Sequence, residues 1–109
     1  MFAFEIPGTR FSLPAGAEVK RHRFVSANAN SAGITATAAT PIIGVSMNQV
    51  KADEVLEIAC GIVMVEASAA ITAGVAVASA ADGRAVAGDG PAIALTSASA
   101  AGDLITVKL

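Results

Sequence analysis

Apolar positions in this chain recur at a spacing of two, not at the three-to-four spacing of a helix, and the clearest case is ITAGVAVASAADGRAVAG, residues 71–88. Val75 and Val77 alternate with Ala76 and Ala78, which is the signature of a strand with two unlike faces. Alanine alone would favour a helix. Glycine at positions 74, 83 and 88 interrupts the run too often for one. Ala81-Asp82-Gly83 supplies turn chemistry, Ala85–Ala87 a short return strand, and Gly88-Asp89-Gly90-Pro91 a stop that no helix or central strand tolerates. The stretch therefore predicts a β-hairpin.

The same pattern recurs in Ile42–Met47, Val55–Ala59, Ile62–Ala67, Ala92–Thr96 and Leu104–Leu109, each rich in small or branched apolar residues and bounded by Gly, Pro, Asp or Ser. Short strands at close spacing predict an all-β fold, a small barrel or sandwich of antiparallel strands with an extended N-terminal arm. In the last strand Ile105, Val107 and Leu109 are expected to face the core and Thr106 and Lys108 the solvent. Gln49–Ala59 is built of good helix formers, so a helix competes there. The strand alternative makes Lys51-Ala52-Asp53 a turn and pairs Val55–Ala59 with Ile62–Ala67 as a hairpin across Cys60-Gly61.

The N-terminal third differs in kind. Phe2, Phe4 and Phe11 lie in the first eleven residues, and no aromatic follows Phe24. Pro7-Gly8 and Pro14-Ala15-Gly16 cut the region into extended pieces, Glu18–Val25 reads as a strand carrying Lys20, Arg21, His22 and Arg23, and 28–39 reads as a connector without a period. One domain spanning 1–109 is expected, with 1–17 an arm or edge segment and 18–109 the β core.

Composition sharpens this picture. The chain has 54% hydrophobic and only 15% charged residues, more apolar and less charged than soluble domains usually are. Part of that apolar surface is expected to meet another protein. A formal net charge of -2 gives no global field for nucleic acid or an anionic membrane. The longest uncharged run, which follows Arg23, is interrupted by Asn28, Asn30, Gly33, Pro41 and Asn48, so no transmembrane helix is expected. The opening MFAFEIPGTRF lacks the basic-then-apolar layout of a signal peptide. Synthesis and retention in the cytosol of the producing cell are expected. A single cysteine, Cys60, excludes an internal disulfide.

The candidates for chemistry are few. Lys20-Arg21-His22-Arg23 is the one cluster of catalytic residue types, but strand alternation would set Arg21 and Arg23 opposite His22, and a positively charged edge strand is the plainer reading. Its functional variant is a contact from Arg21 and Arg23 to an acidic patch on a partner protein. Cys60 lies in an apolar run far from the sole histidine, where a buried thiol is the commoner occupant. Glu54, Glu57 and Glu66 raise the idea of paired carboxylates, but the chain has no Trp or Tyr platform for a sugar, and solvent-facing strand residues fit better. The glycines near Gly83, Gly88 and Gly90 have none of the features of a phosphate loop. No enzyme activity, catalytic residue, cofactor, metal or small-molecule substrate is expected. Phe2, Phe4 and Phe11 either complete the domain's own core or extend onto a neighbouring subunit or partner.

The order of segments in the C-terminal part resembles the small capsid decoration, or cement, proteins of tailed bacteriophages. The resemblance rests on Ile43-Gly44-Val45, the run Glu57 to Ile62, the run Ala70 to Val77, Gly83-Arg84-Ala85, Ala92-Ile93-Ala94-Leu95 and the run Ala100 to Val107, and covers residues 33–109. Ala52-Asp53-Glu54 departs from it, since a glycine is expected before the acid. What the resemblance implies is a non-enzymatic virion protein on the outer surface of the phage head, commonly a homotrimer, that binds the major capsid protein and holds neighbouring subunits together. Another phage structural module, for head completion or the tail, is the alternative. A lipoyl-type carrier is disfavoured because the hairpin tip 81–84 has no lysine.

Overall fold

The computed structural model describes residues 3–38 and 40–109. It contains nine strands and, among the described residues, no helix. They are β1 (Ile6–Pro14), β2 (Phe24–Ala27), β3 (Gly33–Thr35), β4 (Gly44–Ser46), β5 (Val55–Glu66), β6 (Ala76–Ser79), β7 (Ala85–Ala87), β8 (Ala92–Ala94) and β9 (Leu104–Lys108). All pair antiparallel in one sheet, in the order β3-β2-β4-β5-β9-β8-β6-β7, with β1 added on β5. The sheet curls into a half-barrel. Its two ends approach where the Phe24 N–H donates to the Gly83 carbonyl at 2.8 Å. Gly83 is required at that seam, because its φ is +81° and a Cβ would stand 2.6 Å from Thr35 Cγ2.

The hairpin predicted over residues 71–88 is present as β6 and β7, in the register Val77 with Ala87, Ala78 with Val86 and Ser79 with Ala85. The competing helix at residues 49–59 is absent. Lys51 to Glu54 forms a turn, with Asp53 at φ 69° and the Lys51 N–H donating to Glu54 Oε1 at 2.6 Å.

Beyond that turn the structure corrects the expected hairpin across Cys60-Gly61. Val55–Glu66 is one twelve-residue strand that runs straight through the pair. Gly61 has φ +101°, and a Cβ on it would lie 2.7 Å from the Gly8 backbone nitrogen. The register between β1 and β5 slips at this point, between Pro7 opposite Gly61 and Thr9 opposite Cys60. Gly61 therefore marks a bulge that lets two backbones approach, not a turn.

The bulge divides β5 between two cores. Leu56 and Ile58 are packed with Ala15, Val19, Val25 and Val50 on one side of the strand. Ala59, Val63 and Val65 are packed with Phe24, Val77, Ile105 and Val107 on the other. Both sides of β5 are covered at Ile58-Ala59; further on one side is buried and the other, at Ile62 and Met64, only half so.

Three further expectations are corrected. Glu18–Val25 is not a strand: Val19 makes one isolated bridge to Val50, His22 turns with φ 62°, and β2 starts at Phe24. The polar connector at 28–39 contains β3. Thr106 faces away from the core as alternation requires, yet it is fully buried, because the N-terminal segment crosses over it. That segment was expected as an arm or an edge piece. From Ile6 to Pro14 it is an edge strand of the chain's own sheet, and Pro7 and Pro14 at its ends suit a strand with one side unpaired.

Candidate functional site

The outer side of the β1-β5-β9-β8 region is covered only in part, by the Phe4-Glu5 segment over Thr106 and Met64. Residues directly opposite each other on paired strands share a face. Ile6 is opposite Ile62, Ile62 opposite Lys108, and Lys108 opposite Ile93, so these four form one row across four strands. The neighbouring rows place Met64 beside Thr106 and Glu66 beside Leu104 on the same face. The opposite sides of these strands carry Val63, Val65, Ala94, Ile105 and Val107, all buried in the larger core.

A solvated outer face should be polar. This one is not. Ile6 is 63% exposed, Ile93 41% and Leu104 39%, and Ile62 and Met64 are half-buried. Phe4, 43% exposed, lies over the same face, held by the Thr106 hydroxyl. Among the described residues, four of the six large exposed apolar side chains thus gather on one side, the others being Phe11 and Val55. Contiguous apolar surface rimmed by polar groups marks a protein contact.

One end of the face is closed by charge. Glu66 Oε2 meets Arg23 at 3.3 Å and Arg84 at 3.5 Å, and Arg84 Nε meets Asp82 at 2.8 Å. Burial would raise the Asp82 carboxyl, but hydrogen bonds from the Arg84 backbone and side chain, with the charges of Arg84 and Arg23, outweigh it and hold Asp82 below the ordinary aspartate value. His22 lies nearby with Nδ1 buried and without a hydrogen-bond partner. Burial, helped by the Arg21 charge, holds it below the ordinary histidine value, against the opposing pull of Glu5, the Met64 backbone and Glu66.

The residues singled out from the sequence are spread out. Phe2 lies outside the described residues. Phe4 joins the outer face. Phe11, 36% exposed, sits further along β1 opposite Ile58, next to the exposed Arg10–Glu57 pair at 3.8 Å. Arg21 is exposed in the turn before β2. Arg23 has a side chain only 13% exposed and is committed to Glu66 and Asp82 within its own chain. The three glutamates do separate structural work, Glu54 capping a turn, Glu57 pairing Arg10 and Glu66 bridging two arginines, so Glu66 is not the solvent-facing residue expected. The Cys60 thiol donates to the Ile43 carbonyl at 2.9 Å, and burial pushes its pKa up, opposite to the shift an activated nucleophile shows. Among the described residues no three His, Cys, Asp or Glu side chains are grouped to hold a metal.

Ile62, Ile93, Leu104 and Lys108 were missed in the sequence. The signal was there: Ile62 and Met64 alternate with Val63 and Val65, so β5 is apolar on both sides. A strand with two apolar sides expects two covers.

A family model described as phage cement protein matches residues 7–109. The chain belongs to the phage cement protein family. A search of curated proteins gave no match. Among solved structures, the fold is similar to the crystal structure of the head fibre gp8.5 N base of bacteriophage phi29, with a TM-score of 0.75 and 21% identity over 91% of each chain. Family membership makes this cement protein a structural component of the phage head.

Proposed function

We propose that this cement protein decorates the outer surface of the phage head, binds the major capsid protein there, and stabilises contacts between neighbouring capsid subunits as a homotrimer, without catalysis. The observation that carries this reading is the partly exposed apolar face of Phe4, Ile6, Ile62, Ile93 and Leu104 on a member of this family. A shell packed with nucleic acid is loaded outward, and a small domain bridging two subunits adds contact area that must be broken before they part. Many copies multiply a modest contact into a large one.

The test is to titrate purified protein onto expanded, undecorated heads and count bound copies. Saturable binding in a fixed ratio to capsid subunits, together with heads that survive higher temperature before releasing DNA, is expected. Absence of binding removes the reading. Sedimentation of the free protein checks the trimer separately.

The similarity to a head-fibre base favours a second reading, in which the domain anchors a projecting appendage to the head. Electron microscopy of decorated heads separates the two, since reinforcement leaves a smooth surface.

A further inference from the structure

The row containing Lys108 specifies the surface it meets, an argument that rests on the decoration reading above. Lys108 stands between Ile62 and Ile93 with Ile6 beyond, is exposed, and takes part in no ion pair of the described residues. Of the other charges bordering this face, Arg23, Arg84, Glu66 and Asp82 neutralise one another, and Glu5 accepts from the Met64 N–H without pairing with Lys108. Docking an apolar surface on the row strips water from the Lys108 ammonium. A cation buried without a counter-charge is strongly unfavourable, so a surface that is apolar throughout does not fit. A second copy related by a two-fold axis through this row fits no better, because Lys108 would meet its own equivalent with the axis at Lys108 and an isoleucine with the axis elsewhere in the row.

We propose that this row docks on an apolar strip of the major capsid protein that carries an aspartate or glutamate placed to receive Lys108 Nζ. The isoleucines supply area and keep water from the pair, which strengthens it. The carboxylate sets the orientation and rejects surfaces that lack it.

The experiment compares wild type, Lys108→Glu, Lys108→Arg and Arg10→Glu for saturation binding to expanded, undecorated heads, with a thermal melt of each free protein. Lys108 and Arg10 are both exposed, so all four are expected to keep the fold, Arg10→Glu melting slightly lower because it faces Glu57. Lys108→Glu should weaken binding at least tenfold while Lys108→Arg retains it. Arg10→Glu, changed on β1 away from this row, should bind as wild type. Wild type and Lys108→Glu saturating heads at the same concentration would overturn the inference and leave decoration standing. So would a Lys108→Glu protein that binds heads normally but loses its trimeric mass, which would give the face to other copies of this chain. Failure of wild type itself to bind removes both.

Discussion

The Thr106 hydroxyl holds both backbone polar groups of Phe4: it accepts from the Phe4 N–H at 2.5 Å and donates to the Phe4 carbonyl at 2.7 Å. With the Met64 N–H donating to Glu5 Oε1 at 3.4 Å, this fixes the start of the chain against β5 and β9. Replacing Thr106 by Val keeps the shape and removes both bonds. The expected loss is about 1–2 kcal/mol, read as a lower melting temperature, with faster amide exchange at Phe4 and unchanged exchange at Val107. Thr106→Asp, which simple alternation would tolerate, should be nearly as damaging as Ile105→Asp, since both sites are fully buried.

Gly61 and Gly74 both have strongly positive φ, +101° and +92°, but a Cβ on Gly61 meets the Gly8 nitrogen at 2.7 Å whereas nothing lies within 4 Å of one on Gly74. Alanine is strained at either position, by roughly 1–3 kcal/mol. Only at Gly61 must β1 also shift. Gly61→Ala should therefore lower the melting temperature well beyond Gly74→Ala; equal losses would mean the bulge has room to open.

His22 is held below the ordinary histidine value of 6.5 by burial. The unfolded chain therefore takes up a proton more readily than the folded one, and stability falls as pH drops below that value. Thermal melts from neutral to mildly acid pH should show this decline. His22→Asn, a residue that tolerates the φ of 62° at this site, should flatten it.

Asp82 loses its stabilisation in acid as His22 does: against the upward push of burial, Arg84 and Arg23 hold its carboxyl below the ordinary 3.8. Its stabilisation is complete above that value and disappears as pH falls through the lower folded-state value. Asp82→Asn should destabilise the protein at neutral pH, and its deficit relative to wild type should shrink in acid. The side chain is 49% exposed, so added salt should shrink it too.

What the sequence made legible was local. Turn residues next to each other, as at Ala81-Asp82-Gly83 or Lys51-Ala52-Asp53, announced the turns that are present. What it hid was set by distant partners. Cys60-Gly61 looks like a hairpin turn until Gly8 is known to lie against it, and nothing near Gly61 says so. Arg21-His22 turns without glycine or proline, a conformation held by the His22 N–H donating to Ser46 and the His22 carbonyl accepting from Glu66. Thr106 follows the alternation yet is covered by residues more than a hundred positions earlier. The candidate face followed the same rule. Phenylalanines drew attention to the N-terminus, whereas the row at Ile62, Lys108 and Ile93 exists only once four strands are side by side.

The passage of β5 from one core to the other carries a mechanical consequence. A tug on the outer face along this strand loads its ladders with β1, β4 and β9 in parallel, so their bonds must fail together instead of unzipping one at a time. Under the proposed decoration of the head, each copy acts as a stiff rivet, and a strained lattice gives way at its seams before the rivet itself comes apart.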